Sequence, residues 1–99
     1  MAAPTTPAQY FHPLRRQARI AKQRPLVVMT PKSLLRLAQA TNSFADLAEG
    51  TRFHPVLAES GVDDAAVTRL LLCAGKVYYN LFGHPYRPSH PGLAVARPW

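Results

Sequence analysis

Arg24, Lys32 and Ser33 are the residues whose types and spacing could hold an anion. Arg24 precedes Pro25 and the apolar run Leu26-Val27-Val28-Met29, and Lys32 and Ser33 follow Thr30-Pro31. A short apolar run with β-branched residues at its centre, bounded by prolines, reads as a fully buried strand. Pro25 suits the first strand position, where a missing ladder donor is tolerated. Thr30 is then expected to cap a helix through its hydroxyl, with Pro31 at the first helical position. Lys32 and Ser33 would sit in that first turn, where free backbone N–H groups point outward and favour an anion. Two cations and a hydroxyl at a strand-to-helix turn suit a phosphate-bearing ligand. The competing reading is structural, with Arg24 and Lys32 capping carbonyls or pairing with acids.

Other reactive side chains carry weaker signals. His12, His54, His84 and His90 are candidate ligands, yet no His/Asp/Glu pair has a helical metal-binding spacing such as HExxH. His84 and His90 flank a proline-rich stretch and read as solvated loop residues. Ser33 lacks the Gly-x-Ser-x-Gly setting of a nucleophile elbow. Cys73, inside an apolar run, reads as a small core residue, and Tyr78, Tyr79 and Phe82 read as packing groups. A single cysteine excludes an internal disulfide framework and a cysteine-based zinc site, so a reducing compartment is expected. No catalytic residue and no metal ligand is assigned.

Ninety-nine residues suffice for one small domain of modest stability. The amino terminus has no secretory pattern, and no stretch approaches membrane-spanning length, so a soluble intracellular chain is expected, with no membrane partner. Twelve Lys and Arg against five Asp and Glu give a net charge of +7. The imbalance lies at the front: Arg15, Arg16, Arg19, Lys22, Arg24, Lys32 and Arg36 all precede the first acid, Asp46. Such a front suits nucleic acid, a phosphate-bearing ligand or an acidic partner surface. Nucleic acid is the alternative function class, a small basic binding or interaction protein. No recognised binding module accompanies the charge, so no nucleic acid is expected.

The elements that must position these residues follow in chain order. Thr6-Pro7-Ala8-Gln9 has the form of a capping box, with Gln9 placed to reach back to the Thr6 N–H. In the helix that follows, Tyr10, Phe11, Leu14, Ala18 and Ala21 share an apolar side, with the basic residues on the other. Pro13 predicts a kink or a late start, at a cost on the order of 3 kcal/mol. Leu34, Leu35 and Ala38 give a short apolar helical face. Ser43 to Asp46 forms a second cap, and the short helix stops at Gly50. Residues 46–66, with His54-Pro55 and Ser60-Gly61, form a candidate linker. Residues 67–73 read as a strand covered on both faces. Ala74-Gly75 turns the chain into a helix over 76–82, laid back over the sheet. Residues 93–97 give a third strand, making a strand–helix–strand unit with a right-handed crossover expected. The chain then stops at Pro98-Trp99 without a closing element, as a truncated one would.

These residues resemble one family, the thiamine-diphosphate-dependent, decarboxylating first component of the 2-oxoglutarate dehydrogenase complex. The resemblance rests on Thr5-Thr6-Pro7-Ala8-Gln9-Tyr10-Phe11-His12 with Leu14-Arg15-Arg16-Gln17, and on residues 24–36 nearly unbroken. It continues through Glu49-Gly50-Thr51, Phe53, Pro55-Val56-Leu57 and residues 69–79, above all Cys73-Ala74-Gly75-Lys76-Val77-Tyr78-Tyr79. It covers about three-quarters of the chain in the family's order. Departures are Pro13 in place of a helix former, Gly83-His84-Pro85 ending a helix early, and Pro98-Trp99 in place of an aliphatic residue and a glutamate.

The resemblance implies an α/β fragment of a transketolase-like enzyme: residues 1–45 from the end of the pyrimidine-binding domain, 46–66 a linker, and 67–99 the start of the carboxy-terminal domain. It implies thiamine diphosphate and magnesium in the parent, which decarboxylates 2-oxoglutarate in the citric acid cycle and passes the succinyl group to a lipoyl arm. Its implied partners are the rest of the subunit, a homodimer mate and the lipoyl-bearing succinyltransferase, in the bacterial cytoplasm or the mitochondrial matrix. The family's cofactor motif and active-site histidines fall upstream, so this polypeptide alone is expected to be inactive and to bind no cofactor. Acetyl-CoA or a nucleotide is the implied effector at Arg24, Lys32 and Ser33.

Overall fold

The computed structural model describes residues 1–98, so the expectation attached to Trp99 lies outside the described residues. Its organising element is strand β3 (Leu93–Pro98), the middle of a three-stranded sheet flanked by β1 (Val56–Leu57) and β2 (Arg69–Leu72). β2 runs parallel to β3, pairing Arg69 with Leu93 through to Leu72 with Ala96. β1 runs antiparallel, pairing Val56 with Pro98 and Leu57 with Arg97. Ala94, Val95 and Ala96, paired with β2 on one edge and with the Glu59 carboxylate at Val95 on the other, are buried, and Val95 is 1% exposed. Mixed α/β architecture follows from the link between β2 and β3: parallel strands need a crossover, here supplied by helix α2 (Val77–Phe82).

Local chemistry sets that crossover. Gly75 has φ +61°, a left-handed value that turns the end of β2 into α2 without a Cβ penalty. Helix α2 stops at Gly83, whose N–H donates to Tyr79 O at 3.0 Å. Pro85 follows, and residues 83–92 form turns, including a 3-10 turn at Arg87–Ser89. Gly92 then makes a close approach: its carbonyl accepts the N–H groups of Thr68 at 2.8 Å and Arg69 at 3.1 Å. A Cβ there would stand 2.6 Å from Thr68 Oγ1 and 3.3 Å from Ala66 O.

Helix α1 (Pro7–Arg19) starts where the capping residues predict. Thr6 Oγ1 accepts the Gln9 N–H at 3.3 Å, Pro7 occupies the first turn, and Arg16 and Arg19 sit in the last turn, against the negative end of the helix dipole. The late start expected from Pro13 does not occur, and the helix runs through it. Gln9 does not complete the capping box, because its Oε1 accepts the His54 N–H at 3.2 Å instead. Ser43 does open its short element, a 3-10 turn over Phe44–Leu47, and Gly50 ends the stretch at φ +85°.

Four expectations are corrected. Residues 26–29 are not a buried strand: they form a single parallel bridge, Ala2 to Val28, with Ala2 N–H bonding Val27 O at 2.9 Å and Met29 N–H bonding Ala2 O at 2.8 Å. One residue cannot cover a strand, so Val27 and Met29 stay exposed. Thr30 is not the cap of the next element. Pro31 takes that place without a side-chain bond, and the element is a five-residue 3-10 turn, Lys32–Arg36. Helix α1 buries Ala8, Gln9, His12 and Pro13, leaving Tyr10, Phe11 and Leu14 exposed, because the partners in reach offer polar groups for Gln9 and His12. Finally, β2 is an edge strand, so Leu72 remains 69% exposed rather than covered on both faces. Strand β1 falls within the residues expected to form a linker.

Candidate functional site

The predicted anion-holding trio lies on the open front of the molecule. Arg24, Lys32 and Ser33 are all exposed. The carbonyl of Arg24 accepts a hydrogen bond from Gln17 Nε2, which fixes the backbone there and leaves the guanidinium outside. In the 3-10 turn the Leu34 N–H is spent on Pro31 O at 3.1 Å, removing one donor that a bound anion would need. In the sequence around the trio the charge is of one sign, since no Asp or Glu occurs before Asp46.

Three better-connected clusters lie elsewhere. In the first, Glu59 reaches from the stretch after β1 to the edge of β3. Its Oε2 accepts the Val95 N–H at 2.9 Å, its Oε1 accepts Arg87 Nη2, and Arg87 Nη1 donates to Leu93 O at 2.7 Å. β1 pairs only at Pro98 and Arg97, so the carboxylate replaces the missing strand further along β3. Both side chains are largely buried, which makes the ion pair tight and its geometry exacting.

The second cluster centres on Arg97, whose guanidinium lies 3.9 Å above the Tyr78 ring while Nη1 donates to Thr5 Oγ1 at 3.2 Å. Arg97 Nε is buried without a hydrogen-bond partner among the described residues. Tyr79 donates its hydroxyl proton to Thr5 O, tying α2 to the amino-terminal segment. Burial pushes the Tyr79 and Cys73 acidities to higher pKa, against a smaller opposing pull from Arg97 in each case. Cys73 is half-buried beside the edge strand rather than a residue of the core.

The third cluster joins α1 to the turn at Phe44–Leu47. Asn42 Oδ1 accepts the Ala8 N–H at 2.8 Å, and His12 Nε2 meets Asp46 O at 3.1 Å. Asp46 Oδ2 accepts from Asn42 Nδ2, Ser43 N–H and Ser43 Oγ, and these bonds, Asn42 first, lower its pKa. Beside this cluster opens a polar hollow of about 530 Å³ that includes His12, Arg52, His54 and Arg97. An apolar hollow of about 420 Å³ lies between α1 and the Lys32–Arg36 turn. A third, of about 810 Å³, is bordered by Arg69, His84, Tyr86 and His90. His84 and His90 are exposed, with Nδ1 bonded to Tyr86 N–H and facing Tyr86 O respectively.

Chemically, these arrangements bind and fasten. No group of three or more His, Cys, Asp or Glu gathers to hold a metal among the described residues, and no helix among them is long and apolar enough to cross a membrane. Glu59, Asn42 and Thr5 carry most of the long-range polar fastening, and none stands out in the sequence. Their partners are 28 to 92 positions away, so no local spacing signals them.

The sequence model described as 2-oxoglutarate dehydrogenase C-terminal matches residues 41–97. Over 98% of its length the chain is 47% identical to the 2-oxoglutarate dehydrogenase E1 component of Azotobacter vinelandii, covering 10% of that protein. Over 95% of its length it is 51% identical to the 2-oxoglutarate dehydrogenase E1 component of Rickettsia prowazekii, again 10% of that protein. It is also 50% identical, over 79% of its length, to the human 2-oxoadipate dehydrogenase complex component E1, covering 8% of it. The chain therefore spans about a tenth of the length of the curated relatives it matches.

Proposed function

The chain belongs to the 2-oxoglutarate dehydrogenase C-terminal family, and from that premise we propose that it is a scaffold segment of the decarboxylating E1 component. The observation that carries this reading is the near-complete collinear match to E1 components, 47% identical over 98 residues. The parent enzyme removes carbon dioxide from 2-oxoglutarate and transfers the succinyl group to a lipoyl arm. Within it, residues 1–45 belong to the end of a transketolase-like pyrimidine-binding domain, 46–66 to a linker and 67–99 to the start of the carboxy-terminal domain. The rest of the subunit, a homodimer mate and the lipoyl-bearing succinyltransferase are its partners, in the bacterial cytoplasm or mitochondrial matrix.

Thiamine diphosphate supplies the carbanion chemistry in such a parent. The residues described here do not fit that group: no metal-ligating cluster is available for magnesium among them, and the exposed Arg24, Lys32 and Ser33 make no enclosed diphosphate cradle. No step of the reaction is assigned to this chain. Its own residues orient elements, through Glu59 on β3 and Tyr79 and Arg97 on Thr5. Arg24, Lys32 and Ser33 are carried as effector-binding residues of the parent, supported by their exposure and by the run of seven Lys and Arg that precedes the first acid in the sequence.

A chimera tests the reading. Residues 1–98 replace the matching stretch of the Azotobacter vinelandii E1 component, and 2-oxoglutarate-dependent carbon dioxide release is measured beside circular dichroism. The expected result is a folded chimera that retains decarboxylation, with none from the 99-residue chain alone. A folded but inactive chimera, or turnover by the isolated chain, overturns it. In the active chimera, Arg24→Ala should weaken the response to acetyl-CoA or a nucleotide effector and spare basal turnover.

A further inference from the structure

Distant parts of the chain converge on residues 2–5. Ala2 bridges Val28 in the front run, residues 26–29, donating its N–H to Val27 O at 2.9 Å and accepting the Met29 N–H at 2.8 Å. A methyl group built on Gly75, in the turn between β2 and α2, would touch Ala3 Cβ at 3.9 Å. Thr5 takes two bonds from the carboxy-terminal half: Tyr79 of α2 donates its hydroxyl proton to Thr5 O, and Arg97 of β3 donates from Nη1 to Thr5 Oγ1 at 3.2 Å. Ala2 and Thr5 are only 4% and 5% exposed, so the strap is packed between its partners rather than trailing over them.

Proline chemistry stiffens this strap. Pro4 locks its own φ and pushes Ala3 toward extended backbone, and Pro7 does the same to Thr6, whose φ of −124° and ψ of 155° are extended. Three extended steps span roughly 10 Å, so Ala2 and Thr5 stand at the two ends of a short rod. A flexible tether would let one end move while the other stayed, whereas a rod carries the displacement along. The hydrogen bonds of Val27 and Met29 go to Ala2, so whatever holds Ala2 in place also holds the run that separates Arg24 from Lys32.

From this we propose that residues 2–5 are a latch. Engagement of Thr5 by Tyr79 and Arg97 holds Ala2 against the front run, and release of Thr5 frees that run from the half of the molecule that holds the sheet. The device goes beyond a scaffold role and holds whether or not the chain serves an E1 component, because it gives the front run two states, latched and free, whose balance α2 and β3 set. Order at residues 26–29 is thereby coupled to side chains that lie 74 and 92 positions beyond Thr5. Such coupling needs an element with two arrangements that both ends bias, and the strap is that element.

Amide exchange followed by NMR in the 99-residue chain reads the latch at Met29, whose N–H lies on Ala2 O, with buried Val95 as the reference for global opening. Tyr79→Phe deletes the bond to Thr5 O and should speed Met29 exchange about fivefold beyond any change at Val95, the population shift that one ordinary hydrogen bond makes. Thr5→Val deletes the acceptor for Arg97 and should act in the same direction, while Thr5→Ser, which keeps the hydroxyl, should stay within about twofold of the parent. Circular dichroism checks that each variant keeps the parent fold. Pro4→Gly tests the rod: in that background Tyr79→Phe should change Met29 exchange less than about twofold, since a flexible strap no longer carries the displacement. Unchanged Met29 exchange in both Tyr79→Phe and Thr5→Val, or an acceleration matched at Val95, overturns the latch. A full fivefold response in the Pro4→Gly background, about as large as with proline, also overturns it, because the front run would then answer to lost stability and not to the strap.

Discussion

Two short apolar runs in this chain, each with valine at its centre, meet opposite fates. Leu93-Ala94-Val95-Ala96 becomes the buried middle of a sheet, and Leu26-Val27-Val28-Met29 lies open with one bridging residue beside it. Composition does not separate them. Neighbours do: β3 has β2 along four residues, β1 at its end and the Glu59 carboxylate at Val95, whereas the front run is bridged, among the described residues, by Ala2 alone. Burial of a strand is thus a property of what pairs with it, as expected when strand preference reflects packing on adjacent surfaces. The lesson extends to α1, which buries its polar side because Asn42, Asp46 and His54 meet it there.

The contrast can be broken most strongly at Glu59. Glu59→Ala removes the partner of a largely buried Arg87 and orphans the Val95 N–H, so a loss of about 3 kcal/mol is expected in chemical denaturation. Glu59→Gln, which can still accept the Val95 N–H, should lose less. A loss below about 0.5 kcal/mol for Glu59→Ala would mean that β3 does not need its carboxylate neighbour.

Val95→Ala and Val27→Ala sharpen the comparison, because the same atoms are deleted from each run. The first should cost about 2 kcal/mol, two methyl groups plus a small cavity, and the second should stay within about 0.5 kcal/mol. Equal losses would show that the front run is buried after all. Gly92→Ala forces a methyl group into contact with Thr68 and Ala66 and should cost about 1 to 2 kcal/mol, measured as a lowered midpoint with unchanged slope.

The smallest effect concerns pH. Hydrogen bonds from Asn42 and Ser43 lower the Asp46 pKa in the folded chain. A depressed carboxyl contributes stability that is present above its unfolded value, about 4, and lost as pH falls through the lower folded value. Asn42→Ala should bring the Asp46 titration, followed by NMR of its carboxyl carbon, back toward the ordinary aspartate range. An unmoved titration would remove Asn42 as the cause.

Much of the carboxy-terminal half was legible because its signals are local. The turn at Gly75, the stop at Gly83, the apolar run at 93–97 and the parallel crossover between strands all follow from neighbouring residue types. The Thr6 and Ser43 starts and the Gly50 stop were legible for the same reason. What escaped depends on distant partners: Glu59 inside a polar stretch, Gln9 turning from Thr6 to His54, and Tyr79 reaching Thr5. The trio Arg24, Lys32 and Ser33 was legible as charge, but its expected helix start dissolved into a 3-10 turn once Pro31 took the capping position.

Hydrogen exchange at Val27 and Met29 tests the account most directly, because a scaffold segment of a larger enzyme should gain its missing neighbours there. The two amides are compared in the 99-residue chain and in the folded E1 chimera, with Val95 as the internal reference. The expected result is protection of Val95 in both, of Met29 only weakly in the isolated chain through Ala2, and of Val27 and Met29 together in the chimera. Front amides equally open in both proteins would contradict it.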